Sequence, residues 1–333
     1  MTPAISAYPW AWAWTVASAV MAAVLLLAAG GSVTPLTFAM SVAGFACLAG
    51  LHRLYATRRP DRVLAAVTGG VAVAMGSAMM AGVISLMAAR LGAPLADPWL
   101  AGADAALGID TPRLVAAAAA RPWLSYGLGA AYLSSFPLIF AAIVYFAVTR
   151  REERLWELCA GFAGVMTVCT LISAATPAVG AFAHYALSDD ILRALPPGAG
   201  LYHLPVFEAY RSGAWATVDF TRLQGVVTFP SIHCGLALMT AYAFRRDRFL
   251  AWPMAIWNGV VILSTIPIGG HYVIDLIAGA AVWAMVATLA RTPLGAPSGL
   301  PQAVMPERAS AIHGLNVQAS AQQKVSDARL RRA

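Results

Sequence analysis

The sequence predicts an all-α fold, a polytopic transmembrane helical bundle of about eight membrane helices. Of its 333 residues, 60% are hydrophobic and 11% are charged, and the mean hydropathy is +0.70, which excludes an ordinary water-soluble domain. Its apolar runs are long enough, or nearly so, to span a bilayer, and no ten-residue alternating pattern indicates a barrel. The runs are residues 10–29, 36–51, 62–89, 124–148, 155–176, 231–244, 249–268 and 271–290.

The basic residues predict the orientation of these helices. Most of the 22 Lys and Arg lie in the even-numbered connections or beyond the last run. Because Lys and Arg favour the cytoplasmic side, we expect both termini in the cytoplasm of a plasma (inner) membrane protein. The net charge of +7 then anchors the chain to anionic lipid, and no nucleic-acid partner is needed. The clusters are Arg53, Arg58, Arg59 and Arg62; Arg150, Arg151 and Arg154; Arg245, Arg246 and Arg248; and Arg291 with the tail.

The runs divide the chain into three predicted regions. Residues 1–61 form two N-terminal helices and a basic cytoplasmic loop. No basic residue precedes the first apolar run, unlike a cleaved signal peptide, so we expect a retained helix. Residues 62–291 form a six-helix core with a first outer loop, 90–123, and a second outer loop, 177–230. Residues 292–333 are rich in Ala, Gly, Pro, Ser and Gln, which predicts a disordered cytoplasmic tail.

The first outer loop carries three acidic residues, Asp97, Asp104 and Asp110. We interpret these carboxylates as solvated, in preference to a headgroup or cation role. Thr111 is expected to cap, and Pro112 to open, a short helix along the interface. The four cysteines have no ligand-like spacing, so neither a disulfide framework nor a structural zinc is expected.

The second outer loop is the longest connection, and such insertions between membrane helices are usually functional. Arg211 and Arg222 are the candidate phosphate-binding residues, since a planar guanidinium matches phosphate oxygens. The alternative is that both are exposed loop arginines. His184 and His203 are interpreted as structural or surface groups.

The candidate catalytic residues are His233, His271 and Asp275, at the starts of two apolar runs. Asp275 follows His271 by four residues, so on a helix the carboxylate can accept a hydrogen bond from one ring nitrogen and leave the other as nucleophile or base. Pro230-Ser231 marks a helix start with free N–H groups that attract an anion. The two pieces occur one helical hairpin apart on the same predicted side, which favours phosphoryl transfer over isolated structural histidines.

Two motifs carry a resemblance to a known family. FPSIHCG (229–235) and GGHYVIDLIAG (269–279) resemble the second and third signatures of the type 2 phosphatidic acid phosphatase superfamily. RSG, then RLQGVVTFPSIH, then HYVID resembles its inositol phosphorylceramide synthase-like (inositolphosphotransferase) branch. The resemblance covers residues 62–290, with DPWLAGADAALGID and PAVGAF as weaker matches.

The resemblance assigns roles to the matching residues. It implies that His271 attacks phosphorus, that Asp275 orients it, that His233 protonates the leaving oxygen and that Ser231 holds phosphate oxygens. The sequence departs from the superfamily in its first motif, which begins with lysine, because the only lysine is Lys324 in the tail. Thr265 also replaces a usual arginine, so Arg211 and Arg222 are expected to supply most of the positive charge.

The sequence therefore predicts a membrane lipid-phosphate phosphatase, with a lipid phosphate as its substrate and no metal or organic cofactor. Two alternatives stay open. One is a phosphotransferase that passes a phospho-headgroup to a lipid alcohol. The other, from a different class, is a transporter that uses His271 and Asp275 as a proton relay.

Overall fold

The computed structural model describes residues 7–292, and within them the fold is all-α apart from two short strands. The long apolar helices and the family described below place the chain among membrane proteins. The helices are α1 Ala7–Ala28, α2 Pro35–Thr57, α3 Arg62–Leu91, α4 Asp97–Ala106, α5 Thr111–Ala119, α6 Pro122–Leu133, α7 Ser135–Val148, α8 Glu152–Ala175, α9 Ala181–His184, α10 Asp189–Ala194, α11 Leu204–Arg211, α12 Ile232–Phe244, α13 Ala251–Ser264 and α14 Val273–Leu289. The strands are β1 Ser32–Val33 and β2 Thr217–Val218.

Four of these helices, α1, α2, α3 and α8, are individually long and apolar enough to cross a membrane. The apolar helices α12, α13 and α14 have 13, 14 and 17 residues, fewer than the ~20 that a full span requires. The count of eight spans therefore stays a prediction. The predicted tail lies outside the described residues.

The run at 124–148 is not one straight helix, because α6 and α7 meet at Ser134 with a bend of 47°. Pro137 explains the break, since proline has no N–H to donate to Leu133 and its ring clashes with that carbonyl. The bend positions the end of α6, which carries Tyr132, beside the start of α12.

The centre of the bundle is α8, which packs against α1, α3, α7, α12 and α14. Leu155, Phe162 and Val165 on α8 are fully or almost fully buried. By contrast, α2 buries no residue and lies at the periphery against α3. The starts of α12 and α14 are thus supported by a helix that is packed on several sides.

The N-terminal helices are tied to the second outer loop. Strands β1 and β2 pair in parallel, with Ser32 opposite Thr217. Arg90, at the end of α3, donates to the carbonyls of Ala29, Gly213 and Trp215 at 3.0, 3.2 and 2.9 Å. These contacts fix residues 213–218 of the second outer loop, in the part of the loop that leads toward α12.

Candidate active site

His271 and Asp275 form the centre of the candidate site, at the start of α14. Both are buried, with 3% and 0% of their surface exposed. His271 Nδ1 lies 3.0 Å from Asp275 Oδ2, which also accepts the Tyr272 N–H at 3.0 Å. Because the carboxylate can only accept, Nδ1 carries the proton and Nε2 is left with its lone pair. The i,i+4 pairing expected from the sequence is present, but not within one helix as expected, because α14 begins at Val273 and His271 lies two residues before it.

Ser231 brings the second motif to this histidine. Its hydroxyl lies 3.4 Å from His271 Nε2 and caps α12 by accepting the Cys234 N–H at 3.3 Å. The Ser231 N–H donates to the backbone carbonyl of Asp275 at 3.0 Å. A Cβ added to Gly279 would lie 2.3 Å from the Ser231 carbonyl oxygen, so the close approach of the two helices requires a glycine there.

His233 lies in the first turn of α12, and its position is set by an aromatic side chain. The ring stacks on Tyr132 with centroids 4.1 Å apart and meets the edge of Phe136 at 5.8 Å. A Cβ added to Gly269 would lie 3.0 Å from the Tyr132 ring and 2.9 Å from the His271 ring, so Tyr132 lies between the two histidine motifs. The His233 ring makes no hydrogen bond within residues 7–292, so its nitrogens remain available for proton transfer.

For Asp104 the prediction of a solvated carboxylate was wrong, because Asp104 is fully buried, whereas Asp110 is exposed as expected. It accepts the Val273 and Ile274 N–H groups at 3.0 and 2.9 Å and the Thr111 hydroxyl at 2.6 Å. Asp104 thus caps the first turn of α14, next to His271, from a distant part of the chain. Thr111 is not the cap of α5 that we expected, since Asp110 fills that place by accepting the Arg113 N–H.

Asp97 is buried too, with 1% of its surface exposed, which again contradicts the prediction of a solvated carboxylate. Its two oxygens accept the Val179 and Gly180 N–H groups, each at 2.9 Å, and the Tyr272 hydroxyl at 3.0 Å. It therefore fixes the PAVGAF segment against the residue that follows His271.

His203 is a buried structural group, in agreement with one of its two interpretations. Its Nε2 donates to the Val179 carbonyl at 3.1 Å. Burial lowers the pKa of His203 to about 4, although the bond to Val179 opposes this. His203 is therefore neutral at physiological pH and lies near His271. His184 is exposed, as the surface interpretation has it.

The second outer loop rests on the backbone before His271. The Gly270 carbonyl accepts the Ala181 N–H at 2.9 Å, and the Ile268 carbonyl accepts the Gly200 N–H at 2.7 Å. Gly270 has φ +73, and a Cβ there would lie 2.8 Å from the Gly200 backbone, so no other residue fits without movement. The loop therefore lies against the backbone that leads into His271.

The comparisons with known proteins agree with this arrangement. A family model described as the PAP2 superfamily matches residues 98–289, which include every candidate catalytic residue. The chain belongs to the PAP2 superfamily. No curated protein and no solved structure gives a significant match. Members of the superfamily are phosphatases or phosphotransferases, and this one is membrane-embedded.

The predicted phosphate-binding residues of this PAP2 superfamily protein are Arg211 and Arg222. Neither bonds to His271, His233 or Ser231 in the described part of the chain. Arg222 is exposed. Arg211 is half-buried and donates through Nη2 to the Ala93 carbonyl at 2.9 Å, while its buried Nη1 has no hydrogen-bond partner. Arg211 thus keeps a donor for an incoming oxygen, whereas the structure gives Arg222 no such feature.

Three groups of the site were missed by sequence reasoning: Tyr132, Asp97 and Asp104. Tyr132 lies inside the apolar run 124–148 and has no local signal. Asp97 and Asp104 are seven residues apart, two helical turns, so on one helix they share a face. Two carboxylates on one face of an otherwise apolar segment indicate buried partners, and this signal could have found them.

Proposed function

We propose that this protein is an integral membrane lipid-phosphate phosphatase that works through a phosphohistidine on His271. The observation that carries the proposal is the orientation of His271: Nδ1 is engaged by Asp275, while Nε2 faces the hydroxyl of Ser231 across 3.4 Å. A neutral imidazole with one nitrogen fixed and the other available is the arrangement that nucleophilic attack requires.

In the first step, His271 Nε2 attacks phosphorus and forms an N–P bond as the bond from phosphorus to the lipid oxygen breaks. His233 gives a proton to that leaving oxygen, and the lipid alcohol departs. Asp275 accepts a hydrogen bond from the Nδ1–H group of His271 and stabilises the positive charge that develops on the His271 ring.

In the second step, water attacks the phosphohistidine, and His233 accepts a proton from it. The N–P bond breaks, and inorganic phosphate leaves with His271 restored. The phosphate oxygens would lie at the Ser231 hydroxyl and the first N–H groups of α12, where a helix N-terminus favours an anion. Arg211 Nη1 is the proposed cationic partner, and Arg222 is a weaker candidate. No metal or organic cofactor takes part in the proposed reaction.

Transfer to a lipid alcohol is the second candidate, and the apolar approach to Ser231 favours it. Phe229 meets the edge of Trp99 at 5.1 Å, and Val226 is buried, with 3% of its surface exposed. An apolar entrance admits a lipid hydroxyl more readily than water. The resemblance to the inositol phosphorylceramide synthase-like branch points the same way.

The test uses purified protein in bilayers with a ³²P-labelled lipid phosphate. Hydrolysis predicts free labelled phosphate, whereas label in a new lipid on addition of ceramide or diacylglycerol would replace hydrolysis with transfer. A proteoliposome flux assay that shows proton-coupled transport without phosphate release would favour the transporter.

The nucleophile is tested by substitution. His271→Ala should abolish turnover, and Asp275→Asn should leave a small residual rate, since it weakens orientation without removing the attacking atom. His184→Ala is the matched control, because His184 is exposed and should leave the rate unchanged. Near-normal phosphate release by folded His271→Ala protein would eliminate the phosphohistidine mechanism.

A further inference from the structure

A second cavity lies at the end of the bundle away from His271. It encloses about 920 Å³ and is walled by α8, α12 and α14 together with the connections before α3 and α8. The candidate active site lies at the first residues of α12 and α14, whereas this cavity is lined by residues at their other ends, such as Ala243 and Ala290. The 13 residues of α12 place the far end of this cavity about 20 Å from the candidate active site.

The mouth of this cavity carries more positive than negative charge. Its lining contains six arginines and four carboxylates. The arginines are Arg62, Arg150, Arg151, Arg154, Arg246 and Arg291, and the carboxylates are Glu152, Glu153, Glu157 and Asp247. Two positive charges are therefore left uncompensated in the lining.

Two of the carboxylates are already occupied. Asp247 is bound by Arg151 and by the Tyr145 hydroxyl, and it accepts the Leu250 N–H at 2.9 Å. Glu157 binds Arg154 at 2.6 Å and Arg245 at 3.0 Å. These bonds fix the side of the mouth formed by α8 and the connection after α12.

The other arginines of the mouth have no carboxylate partner within residues 7–292. Arg62 and Arg246 are exposed at the mouth and make no ion pair there. Arg291 donates to the Tyr242 hydroxyl, which is neutral. Glu152 and Glu153, the remaining carboxylates of the lining, offset two of its four arginines without an ion pair in the described residues, which leaves two guanidinium charges for phosphate oxygens.

The interior of the cavity is apolar, in contrast to its mouth. It is lined by Leu158 and Gly161 from α8, by Met239 about halfway along α12, and by Trp283 and Ala287 from α14. A charged mouth above an apolar interior matches a molecule with an anionic head and a hydrocarbon chain. The cavity volume is in the range of sites that enclose a whole small ligand.

We propose that this cavity binds the phosphate headgroup of an anionic lipid at its arginine mouth, with an acyl chain between α8, α12 and α14. The site is separate from the catalytic one and does not depend on the reaction at His271. It differs from general attraction of basic loops to anionic membranes, because it requires the arginines that line the cavity and not their neighbours.

The experiment measures lipid binding by the full-length protein in nanodiscs of phosphatidylcholine with a small fraction of phosphatidylglycerol. The test variant is Arg62→Gln with Arg246→Gln. The control is Arg58→Gln with Arg248→Gln, which removes the same charge from exposed positions of the same two connections, outside the cavity. Bound lipid is counted by native mass spectrometry, and thermal unfolding confirms that each variant is folded, a control that does not depend on the proposed reaction.

Each arginine that bonds directly to the phosphate contributes about tenfold to binding, as a charge-assisted hydrogen bond does, so the test variant should bind phosphatidylglycerol more than tenfold more weakly. The control should change this affinity by less than twofold. Equal retention of phosphatidylglycerol and phosphatidylcholine by the unsubstituted protein would overturn the proposal, as would an equal loss in the control.

A titration with inorganic phosphate distinguishes the two sources of this chemistry. Displacement of phosphatidylglycerol at millimolar phosphate supports a site that also takes free phosphate. Retention of the lipid under the same conditions supports the lipid as ligand, because the chain then contributes to binding. Phosphate binding that is unchanged in the test variant would overturn the assignment of Arg62 and Arg246.

Discussion

At the scale of single residues, the orientation of His271 depends on carboxylates that do not touch it. Asp275 holds its ring directly, whereas Asp104 holds the first turn of α14, which begins two residues after His271. A carboxylate can accept hydrogen bonds from the Val273 N–H, the Ile274 N–H and the Thr111 hydroxyl together. An amide of the same shape cannot, because one of its two polar atoms is a donor. Asp104 is therefore a positioning residue.

Asp104→Asn should lower kcat at least about tenfold with little change in KM, since the position of His271 changes while the substrate contacts remain. One unsatisfied buried N–H should also cost about 1–3 kcal/mol of stability. Steady-state kinetics and thermal unfolding measure the two effects. Asp110→Asn is the control, because Asp110 caps α5 at an exposed position. Unchanged kcat in Asp104→Asn would remove Asp104 from the positioning role.

His203 predicts a dependence of stability on pH. Its pKa is about 4 in the folded protein and 6.5 in an ordinary histidine, so the unfolded chain binds a proton first as pH falls. Stability is therefore complete above pH 6.5 and is lost between pH 6.5 and 4, by up to about 3 kcal/mol. His203→Gln keeps an N–H for Val179 and does not titrate, so its unfolding temperature should fall less over this range. Equal acid sensitivity of the two proteins would contradict the assignment.

At the scale of secondary-structure elements, the site exists because the starts of α12 and α14 are in contact. Ser231 reaches His271 because its backbone carbonyl lies against Gly279, one turn beyond Asp275. The sequence motifs predicted both helix starts, since Pro230-Ser231 and the His271–Asp275 spacing are local signals. They did not predict that a glycine on α14 sets the distance between them.

Gly279→Ala tests this contact. Its Cβ would lie 2.3 Å from the Ser231 carbonyl oxygen, so the helices must separate, at a cost of about 1–3 kcal/mol. A displacement of ~1 Å between Ser231 and His271 should reduce turnover about 100-fold. Gly259→Ala on α13 is the matched control, because nothing lies within 4 Å of that Cβ and alanine favours a helix. Full activity in Gly279→Ala would show that the separation of Ser231 and His271 does not limit catalysis.

At the scale of the whole molecule, hydrophobicity predicted the all-α membrane fold, and local motifs predicted the pairing of His271 with Asp275. Contacts distant in sequence were not predictable in the same way. Asp104 and Ile274 are 170 positions apart, and no local pattern reports that they meet. The prediction that Asp97 and Asp104 are solvated failed because it relied on the rule that an acidic residue in a loop is usually exposed. Their burial depends on hydrogen-bond partners from elsewhere in the fold. The broken helix was foreseeable from Pro137, whereas the pairing of β1 with β2 was not.

The orientation of the whole molecule is the last expectation, and it depends on the arginine clusters. These clusters line the charged cavity at one end, and His271 lies at the other, so the positive-inside rule places the candidate active site on the outer face. Single cysteines at Ser188, Ser212 and Thr149 test this. All three positions are exposed, and they differ in the side of the membrane on which they are predicted to lie. With Cys47, the exposed native cysteine, replaced by serine, a membrane-impermeant maleimide should label Ser188→Cys and Ser212→Cys in intact cells. Thr149→Cys should react only after permeabilisation, and the reverse pattern would place the reaction at His271 on the cytoplasmic face.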